Sequence, residues 1–191
     1  MRLGIFGGTF NPIHFGHLLL AETARDTLRL DRVVFIPTAQ PPHKRARDLL
    51  PGPVRFELVQ QAIRDQPVFV ASDVELQRTG PSYSIETVNI LHRQLPQAKL
   101  FLLIGEDMLA VRWMGWKTLK HLCTVVVAHR PGSKGVRREA GLKWLEMPQI
   151  DITSSDIRAR LKAGRSIRYL VPAAVARAID RHGFYQRRTT S

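Results

Sequence analysis

The stretch that sets the fold class of this chain is residues 2–37, RLGIFGGTFNPIHFGHLLLAETARDTLRLDRVVFIP. Its first residues, 2–6, predict a short strand that ends at two glycines, and residues 32–36 predict a second strand buried on both faces. Between them runs an apolar stripe at helical spacing. The stripe consists of Leu18, Leu19, Ala21, Ala24, Leu28 and Leu30. A strand, a helix and a second strand in this order predict a β-α-β unit with parallel strands.

The same alternation continues through the rest of the chain. Further strands are expected at residues 68–70, 99–104, 124–128 and 149–152. A helix that begins at Pro53 is expected to turn five apolar residues inward: Phe56, Leu58, Val59, Ala62 and Ile63. Ser84 is expected to cap the next helix, and further helices are expected to begin at Trp116, Thr153 and Pro172, the last ending at Gly183. This order predicts an α/β protein with a Rossmann-like, open, mostly parallel sheet and helices on both faces, in a single domain over residues 1–191.

Sheets of this class bind ligands beyond the carboxyl ends of their strands. The loops to search are therefore those that follow Phe6, Ile36, Ile104 and Ile152.

The composition is that of a folded globular protein, with 44% apolar and 24% charged residues. No apolar run approaches the roughly 18 residues that would span a bilayer, so a membrane protein is not expected. The single cysteine, Cys123, excludes an internal disulfide and is interpreted as a small core residue rather than a reactive thiol. One unpaired thiol favours a reducing compartment, and we expect the protein in the cytoplasm.

The charge balance is strongly basic, with 29 Lys and Arg against 16 Asp and Glu and a net charge of +13. Such an excess attracts polyanions, so that non-specific binding of nucleic acid is one expectation and a solvated basic surface is the other. Residues 187–191 are expected to form a disordered basic tail. The sequence leaves a homo-oligomer open.

The loop after the first strand has the features of a phosphate site. Paired glycines at Gly7 and Gly8 let backbone N–H groups approach phosphate oxygens, and the following helix directs its positive end at the same place. His14 and His17 are three residues apart and project from one face of that helix. Gly16 between them would allow a base or a ribose to lie against the backbone. Two imidazoles could then stabilise charge developing at a phosphoryl group.

Other interpretations of this loop remain open. Histidines at this spacing could hold zinc or lie at the surface, although no third ligand stands at a convincing spacing. The loop is not a Walker A motif, because no Gly-Lys-Ser/Thr follows the glycines.

A second segment, residues 152–158, begins a helix near the other end of the chain. Thr153 with Asp156 three residues later is a capping box, and capping alone would explain the pattern. The hydroxyls of Ser154 and Ser155 with free N–H groups also make an anion site, which the planar fork of Arg158 could reach.

The two segments together resemble the HxGH nucleotidyltransferases, and most closely the bacterial nicotinate-nucleotide adenylyltransferases. The first segment of this chain, Gly-Gly-Thr-Phe-Asn-Pro-Ile-His-x-Gly-His, looks like the family's signature, and the second is similar to the family's Ile-Ser-Ser-Thr-x-Ile-Arg element. Their order and separation make the pair far more specific than either one. The family commonly has Asp where this chain has Asn11, so we expect this residue to brace the turn and to have no acid–base role.

The resemblance implies a three-layer nucleotidyltransferase fold and assigns roles to both segments. His14 and His17 would stabilise the α-phosphoryl group, while Arg158 would hold the leaving pyrophosphate. The residues implied in ATP binding are Gly7, Gly8, Thr9, Phe10, Gly16, Gly105, Asp107, Ile152, Ser154 and Ser155. Of these, Asp107 is expected near the sugar hydroxyls.

Further stretches between the two segments match the same family. Lys44, in Pro41-Pro42-His43-Lys44, is expected to be a catalytic cation that swings onto the substrate phosphates. Residues 80–88, GPSYSIETV, are similar to the segment that recognises the acceptor's pyridine carboxylate. The residues implied in acceptor binding are Tyr83, Ser84, Ile85, Trp116 and Arg130. Trp116 is expected to stack on the pyridine ring, with Trp113 as its rival.

The reaction implied is adenylyl transfer from ATP to nicotinate mononucleotide, giving deamido-NAD and pyrophosphate. Mg²⁺ is expected to arrive bound to ATP, since no dedicated protein carboxylate cluster is evident. Three alternatives stay open: a pantetheine-phosphate adenylyltransferase, an enzyme that prefers the nicotinamide acceptor, and a nucleic-acid-binding module whose affinity would collapse with salt.

Overall fold

The sheet at the centre of the fold contains six strands in the described part of the chain, which is residues 1–41, 48–129, 139–148 and 150–186 of a computed structural model. The strands are β1 (Arg2–Gly8), β2 (Arg32–Pro37), β3 (Phe69–Ala71), β4 (Lys99–Gly105), β5 (Thr124–His129) and β6 (Lys143–Glu146). The helices are α1 (Phe15–Leu28), α2 (Gly52–Ile63), α3 (Ser84–Gln94), α4 (Trp116–Leu122), α5 (Ser154–Lys162) and α6 (Ala173–His182), with a 3₁₀ helix at Glu106–Ala110.

The strand order is β3-β2-β1-β4-β5-β6, and every neighbouring pair among these strands is parallel. Phe6 on β1 lies opposite Phe35 on β2, and Ile5 lies opposite Leu102 on β4. The chain order reverses between β1 and β4, and at such a reversal the connecting helices leave on opposite faces and open a crevice. The predicted Rossmann-like fold is therefore confirmed.

Alternate residues of each strand pack against different helices. On β1, Phe6 belongs to the core under α1, α2 and α6, whereas Ile5 belongs to the core under α3 and α4. Cys123 lies buried in the second of these cores, and burial raises the pKa of its thiol to about 11, as expected for a packing residue. Among the described residues, no helix combines the length and apolarity needed to cross a membrane.

The ends of the two C-terminal helices follow their predicted caps. Thr153 is the N-cap of α5, and its side chain accepts a hydrogen bond from the Asp156 backbone N–H at 3.1 Å. Gly183 ends α6 in the left-handed conformation, with φ at 61°. At α3 the prediction was one residue off, because Tyr83 is the N-cap and Ser84 is the first helical residue.

Two other expectations from the sequence are wrong. The last strand is β6, at Lys143–Glu146, and residues 150–152 lie in no strand. Ile152 is buried there, so the apolar character of this segment reflects packing rather than sheet pairing. On α2, Phe56 is only half-buried, and Arg55 takes the fully buried position beside Leu58.

Candidate active site

A cavity of about 530 Å³ opens beyond the carboxyl ends of β1 and β4, at the point where the strand order reverses. Most of the residues predicted for the site line it. They are Gly7, Gly8, Thr9, Phe10, His14, Gly16, His17, Tyr83, Ser84, Gly105, Asp107, Ile152, Ser154, Ser155 and Arg158. Four separate stretches of chain thus meet at one cavity, and they include both segments that suggested phosphate binding.

Two of the remaining predicted residues, Ile85 and Trp116, are not among the residues that line the cavity. Ile85 packs into the core under α3, and Trp116 donates from its indole Nε1 to Glu139 at 3.1 Å. Trp113 lines the cavity instead, with its ring centroid 5.3 Å from that of Trp116. Lys44 and Arg130 lie outside the described residues, as does the basic tail.

The rings of two histidines pack against each other at the start of α1, with an angle of 33° between their planes. His14 is the N-cap and is 5% exposed, and its ring centroid lies 3.7 Å from that of His17. The backbone N–H of His14 donates to His17 Nδ1 at 3.2 Å. Because Nδ1 accepts this hydrogen bond, a neutral His17 carries its proton on Nε2. The ring can therefore act as a hydrogen-bond donor toward a phosphoryl oxygen.

Gly16 has a packing role that the sequence did not predict. A Cβ on this residue would lie 3.0 Å from His14 Nδ1 and 3.1 Å from Cε1, and 3.6 Å from the carbonyl oxygen of Ile152. The glycine therefore allows the His14 ring to lie flat against the start of α1, close to the segment that leads into α5.

The start of α5 is fastened to the loop after β1. Ser154 Oγ donates to the Pro12 carbonyl at 2.9 Å, and Arg158 Nη1 donates to the Asn11 carbonyl at 2.8 Å. Arg158 Nη2 also donates to Ser155 Oγ at 3.3 Å. The N-termini of α1 and α5 are thereby held at the same cavity, where their dipoles and the Arg158 guanidinium favour an anion.

Asn11 braces this loop from within, as predicted for it. Its Oδ1 accepts from the Tyr185 hydroxyl at 2.7 Å and from the Leu50 N–H at 3.2 Å, and its Nδ2 donates to the Asp48 carbonyl at 2.9 Å. An ionised aspartate could not donate the last of these bonds, so the amide suits this position. Burial raises the pKa of Tyr185, which keeps its hydroxyl protonated as the donor.

Arg55 is a supporting residue that the sequence reasoning missed. It is 1% exposed, and its guanidinium donates to the carbonyls of Leu50 at 2.9 Å, Thr9 at 2.7 Å and Thr38 at 2.7 Å. Burial lowers the pKa of Arg55, and its charge meets backbone dipoles rather than a carboxylate. Its position on the apolar face of α2, three and four residues before Leu58 and Val59, is the pattern that could have identified it.

The electrostatics of the cavity favour anions, although two acidic side chains also line it. Asp107 is exposed at its edge, and Glu75 is a buried carboxylate that the sequence reasoning did not single out. Within the described ranges no group of three or more His, Cys, Asp or Glu side chains is placed to hold a metal ion. Two helix N-termini, a histidine pair and an arginine can bind a polyphosphate and stabilise charge on it.

Comparison with known proteins gives a consistent result. The cytidylyltransferase-like family model matches residues 5–160. A protein of Thermus thermophilus named "Probable nicotinate-nucleotide adenylyltransferase" is 42% identical over 97% of this chain and 100% of its own length. A protein of the same name from Syntrophotalea carbinolica is 40% identical over 97% of this chain and 98% of its own.

Solved structures share the fold at low sequence identity. The Plasmodium falciparum nicotinic acid mononucleotide adenylyltransferase complexed with NaAD has a TM-score of 0.81 and 14% identity, covering 96% of this chain and 97% of that one. The same enzyme complexed with APC has a TM-score of 0.79, with 96% of each chain covered.

Proposed function

The chain belongs to the nicotinate-nucleotide adenylyltransferases of the cytidylyltransferase-like family, and from this premise we propose that it transfers the adenylyl group of ATP to nicotinate mononucleotide. The products are nicotinate adenine dinucleotide and pyrophosphate. One observation carries the proposal: the start of α1 with its histidine pair and the start of α5 with its arginine meet at a single cavity.

The chemistry follows from the groups around that cavity. The phosphate of the acceptor attacks the α-phosphorus of ATP in line, and pyrophosphate leaves from the opposite side. Because this nucleophile is already anionic, the protein needs no general base and forms no covalent intermediate. Catalysis then consists of positioning the two substrates and stabilising the charge that develops between them.

We assign the stabilising roles to residues from three segments. His14 and His17 donate hydrogen bonds to the α-phosphoryl group, and the proton on His17 Nε2 supports this role. Ser155 and Arg158 hold the leaving pyrophosphate, together with Lys44. Mg²⁺ bound to ATP would supply further charge neutralisation there, since the cavity offers anion-binding groups rather than a metal cage.

We propose that the acceptor binds at the start of α3. The first backbone N–H groups of a helix lack intrahelical acceptors, and a pyridine carboxylate beside Ser84 and Ile85 would bind them. This geometry supports nicotinate over nicotinamide. Trp116 stays the sequence-based candidate for stacking on the ring, and the position of Trp113 in the cavity lining supports its rival.

Further expectations accompany this proposal. We propose a single domain over residues 1–191 and a cytoplasmic protein, the latter on the basis of the single buried cysteine. The net charge of +13 supports additional non-specific binding of nucleic acid, and a homo-oligomer is compatible with the proposal.

Pyrophosphate release tests the reaction directly. The purified protein is assayed with ATP and Mg²⁺ and with nicotinate mononucleotide, nicotinamide mononucleotide or phosphopantetheine as the acceptor. We expect turnover with the nicotinate acceptor, and a fall of about 10²–10³-fold in kcat for His17→Ala. His92→Ala, which removes an exposed imidazole on α3 that does not line the cavity, is the matched control and keeps normal kcat.

Each other outcome has a definite meaning. Turnover that is faster with phosphopantetheine or nicotinamide mononucleotide would retain the nucleotidyl transfer and overturn the acceptor. Equal activity of His17→Ala and His92→Ala would overturn the role of the histidine pair. A folded protein that binds ATP and releases no pyrophosphate with any acceptor would overturn the enzymatic proposal.

A further inference from the structure

Glu75 is a buried carboxylate that lines the cavity and has no part in the chemistry described above. It is 4% exposed and lies in the connection between β3 and α3, seven residues before Ser82. A carboxylate in such a place costs free energy unless donors surround it, so its contacts indicate what it holds in place.

Its first contact is with α3. Thr87, which is 2% exposed in the first turn of the helix, donates from its hydroxyl to Glu75 Oε1 at 2.7 Å. The oxygen of that hydroxyl accepts from Arg78 Nη2 at 2.9 Å. A guanidinium can only donate, so the Thr87 hydrogen has to be directed at the carboxylate. The orientation of this side chain is therefore fixed from both sides.

Glu75 shares the cavity lining with Ser82, in the turn that precedes α3. Ser82 Oγ accepts from the backbone N–H groups of Ala39 at 3.1 Å and Gln40 at 3.4 Å. These two bonds occupy the oxygen and leave the hydroxyl hydrogen to be donated elsewhere. Glu75 Oε2 has no partner within ordinary hydrogen-bond distance among the described residues, although Ser82 lines the same cavity and a hydrogen bond from its hydroxyl would lower the pKa of this carboxyl.

The charge of Glu75 is balanced by its neighbours. Burial raises the pKa of this carboxyl, and the Thr87 hydrogen bond and the Arg78 charge oppose that rise. Arg78 Nη1 in turn lies 3.4 Å from Glu86, which is half-exposed on α3. The cluster therefore joins one buried acid to one exposed acid through a single guanidinium.

Thr87, which Glu75 binds, and Ser82, which lines the same cavity as Glu75, stand on either side of Tyr83 and Ser84 in the sequence. We propose that Glu75 is the positioning residue of the acceptor site: it holds Ser82 and Thr87, and so fixes the turn and the first helical residue between them. This inference rests on the proposed function, which places the acceptor beside Ser84. Ser82 in turn joins this turn to the backbone after β2, because its Oγ accepts hydrogen bonds from the N–H groups of Ala39 and Gln40.

Substitution of Glu75 by its amide tests the proposal. In Glu75→Gln the side chain keeps its size but has one accepting oxygen in place of two, so that Ser82 or Thr87 loses its acceptor. We expect the KM for nicotinate mononucleotide to rise about tenfold, while kcat and the KM for ATP stay within about twofold. Glu86→Gln is the matched control, because it removes the same charge from the same cluster at an exposed position.

A pair of changes at the partner separates positioning from general damage. Thr87→Val removes the hydroxyl with little change of volume and is expected to reproduce the Glu75→Gln effect, whereas Thr87→Ser restores normal KM. In the double variant Glu75→Gln/Thr87→Val, the two effects on the KM for nicotinate mononucleotide are expected not to be additive, because both changes act on the same contact. If Glu75→Gln matches Glu86→Gln, or raises both KM values equally, the inference is wrong even though the enzyme is active.

Amide hydrogen exchange tests the same contact without any reaction. In Glu75→Gln the Ala39 and Gln40 amides, which donate to Ser82, are expected to exchange at least about tenfold faster than in the wild type and in Glu86→Gln. Unchanged exchange at both amides would overturn the positioning role. Faster exchange in a protein that does not use nicotinate mononucleotide would keep the contact and overturn the proposed function.

Discussion

The ring of His17 is held by neighbours of two kinds. The His14 ring lies at 3.7 Å between centroids with a tilt of 33°, and the Phe10 ring lies at 5.0 Å in an edge-type arrangement. Phe10 is itself buried, with its backbone in the left-handed region at φ 46°. A donor aimed at a developing charge is useful only if it does not have to reorient, and these contacts restrict the ring to one plane.

Adding a methyl group at Gly16 should disturb this arrangement. In Gly16→Ala the new Cβ would lie 3.0 Å from His14 Nδ1, so the ring has to move. We expect kcat in the pyrophosphate assay to fall by about 10- to 100-fold, because small misplacements of catalytic groups have effects of this size.

Gly7→Ala is the informative comparison for that variant. A Cβ on Gly7 meets nothing within 4 Å in the described protein, so the melting temperature should not change. The same methyl would stand where a phosphate approaches the backbone, and the KM for ATP should rise. Normal kcat in Gly16→Ala would show that the position of the His14 ring does not limit the reaction.

The position of individual residues could be predicted best where a helix begins. His14 is the N-cap of α1 and His17 is the third residue of that helix, so their spacing was enough to place both at one helix start. Trp113 and Trp116 are also three apart, but Trp113 lies in irregular backbone and Gly115 turns the chain with φ at 66° before α4 begins. The spacing therefore could not predict which indole faces the cavity.

At the scale of secondary structure, the residues that end helices carry the strongest local information. Thr153, Pro172 and Gly183 were placed correctly because each acts on its own backbone. Strand β6 was missed because it has only four residues. It begins with Lys143 and ends with Glu146, and only Leu145 is fully buried. A short edge strand is defined by its partner, β5, and the sequence does not contain that information locally.

Removal of the α5 cap has a predictable cost. Thr153→Ala leaves the Asp156 N–H without its side-chain acceptor and should lower the free energy of unfolding by about 1 kcal/mol, as measured by urea denaturation. Thr153→Ser should recover most of the loss.

Thr118→Ala, at an exposed position within α4, controls for the loss of a threonine as such. Alanine has the higher helix propensity, so no destabilisation is expected there. If the two alanine variants proved equally stable, Thr153 would not be acting as a cap.

On the scale of the whole molecule, a few polar side chains join distant segments around the cavity. Arg55 joins the backbone after β1 to that after β2, and Tyr185 reaches Asn11 across 174 positions of sequence. The helix position of Arg55 could indicate its burial, but its partners are backbone carbonyls that only the finished fold leaves without donors. The partner of Tyr185 is the side chain of Asn11, and the sequence does not show that these two residues meet. The overall sheet could be predicted, since the continuous apolar strands and their alternation with helices are repeated along the chain.

Arg55 should therefore be critical for stability. Arg55→Met removes the donor of three partly buried carbonyls and the buried guanidinium that binds them, and it should lower the free energy of unfolding by about 3 kcal/mol in urea denaturation. Arg55→Lys should recover little of the lost stability, because an ammonium group lacks the planar fork that reaches all three carbonyl oxygens.

Arg64→Met, at an exposed position just after α2, is the matched control and should stay within about 0.5 kcal/mol of the wild type. A similarly small effect of Arg55→Met would mean that the loops around the cavity do not depend on this guanidinium.

The contact between Tyr185 and Asn11 also has a consequence for synthesis on the ribosome. A nascent chain exposes β1 and both histidines before Ser154, Arg158 and Tyr185 leave the exit tunnel. The contacts that join α5 and Tyr185 to the loop after β1 can therefore form only after those residues have emerged. An interrupted translation product that stops before α5 would carry the histidine pair without the arginine that we propose to hold the leaving pyrophosphate.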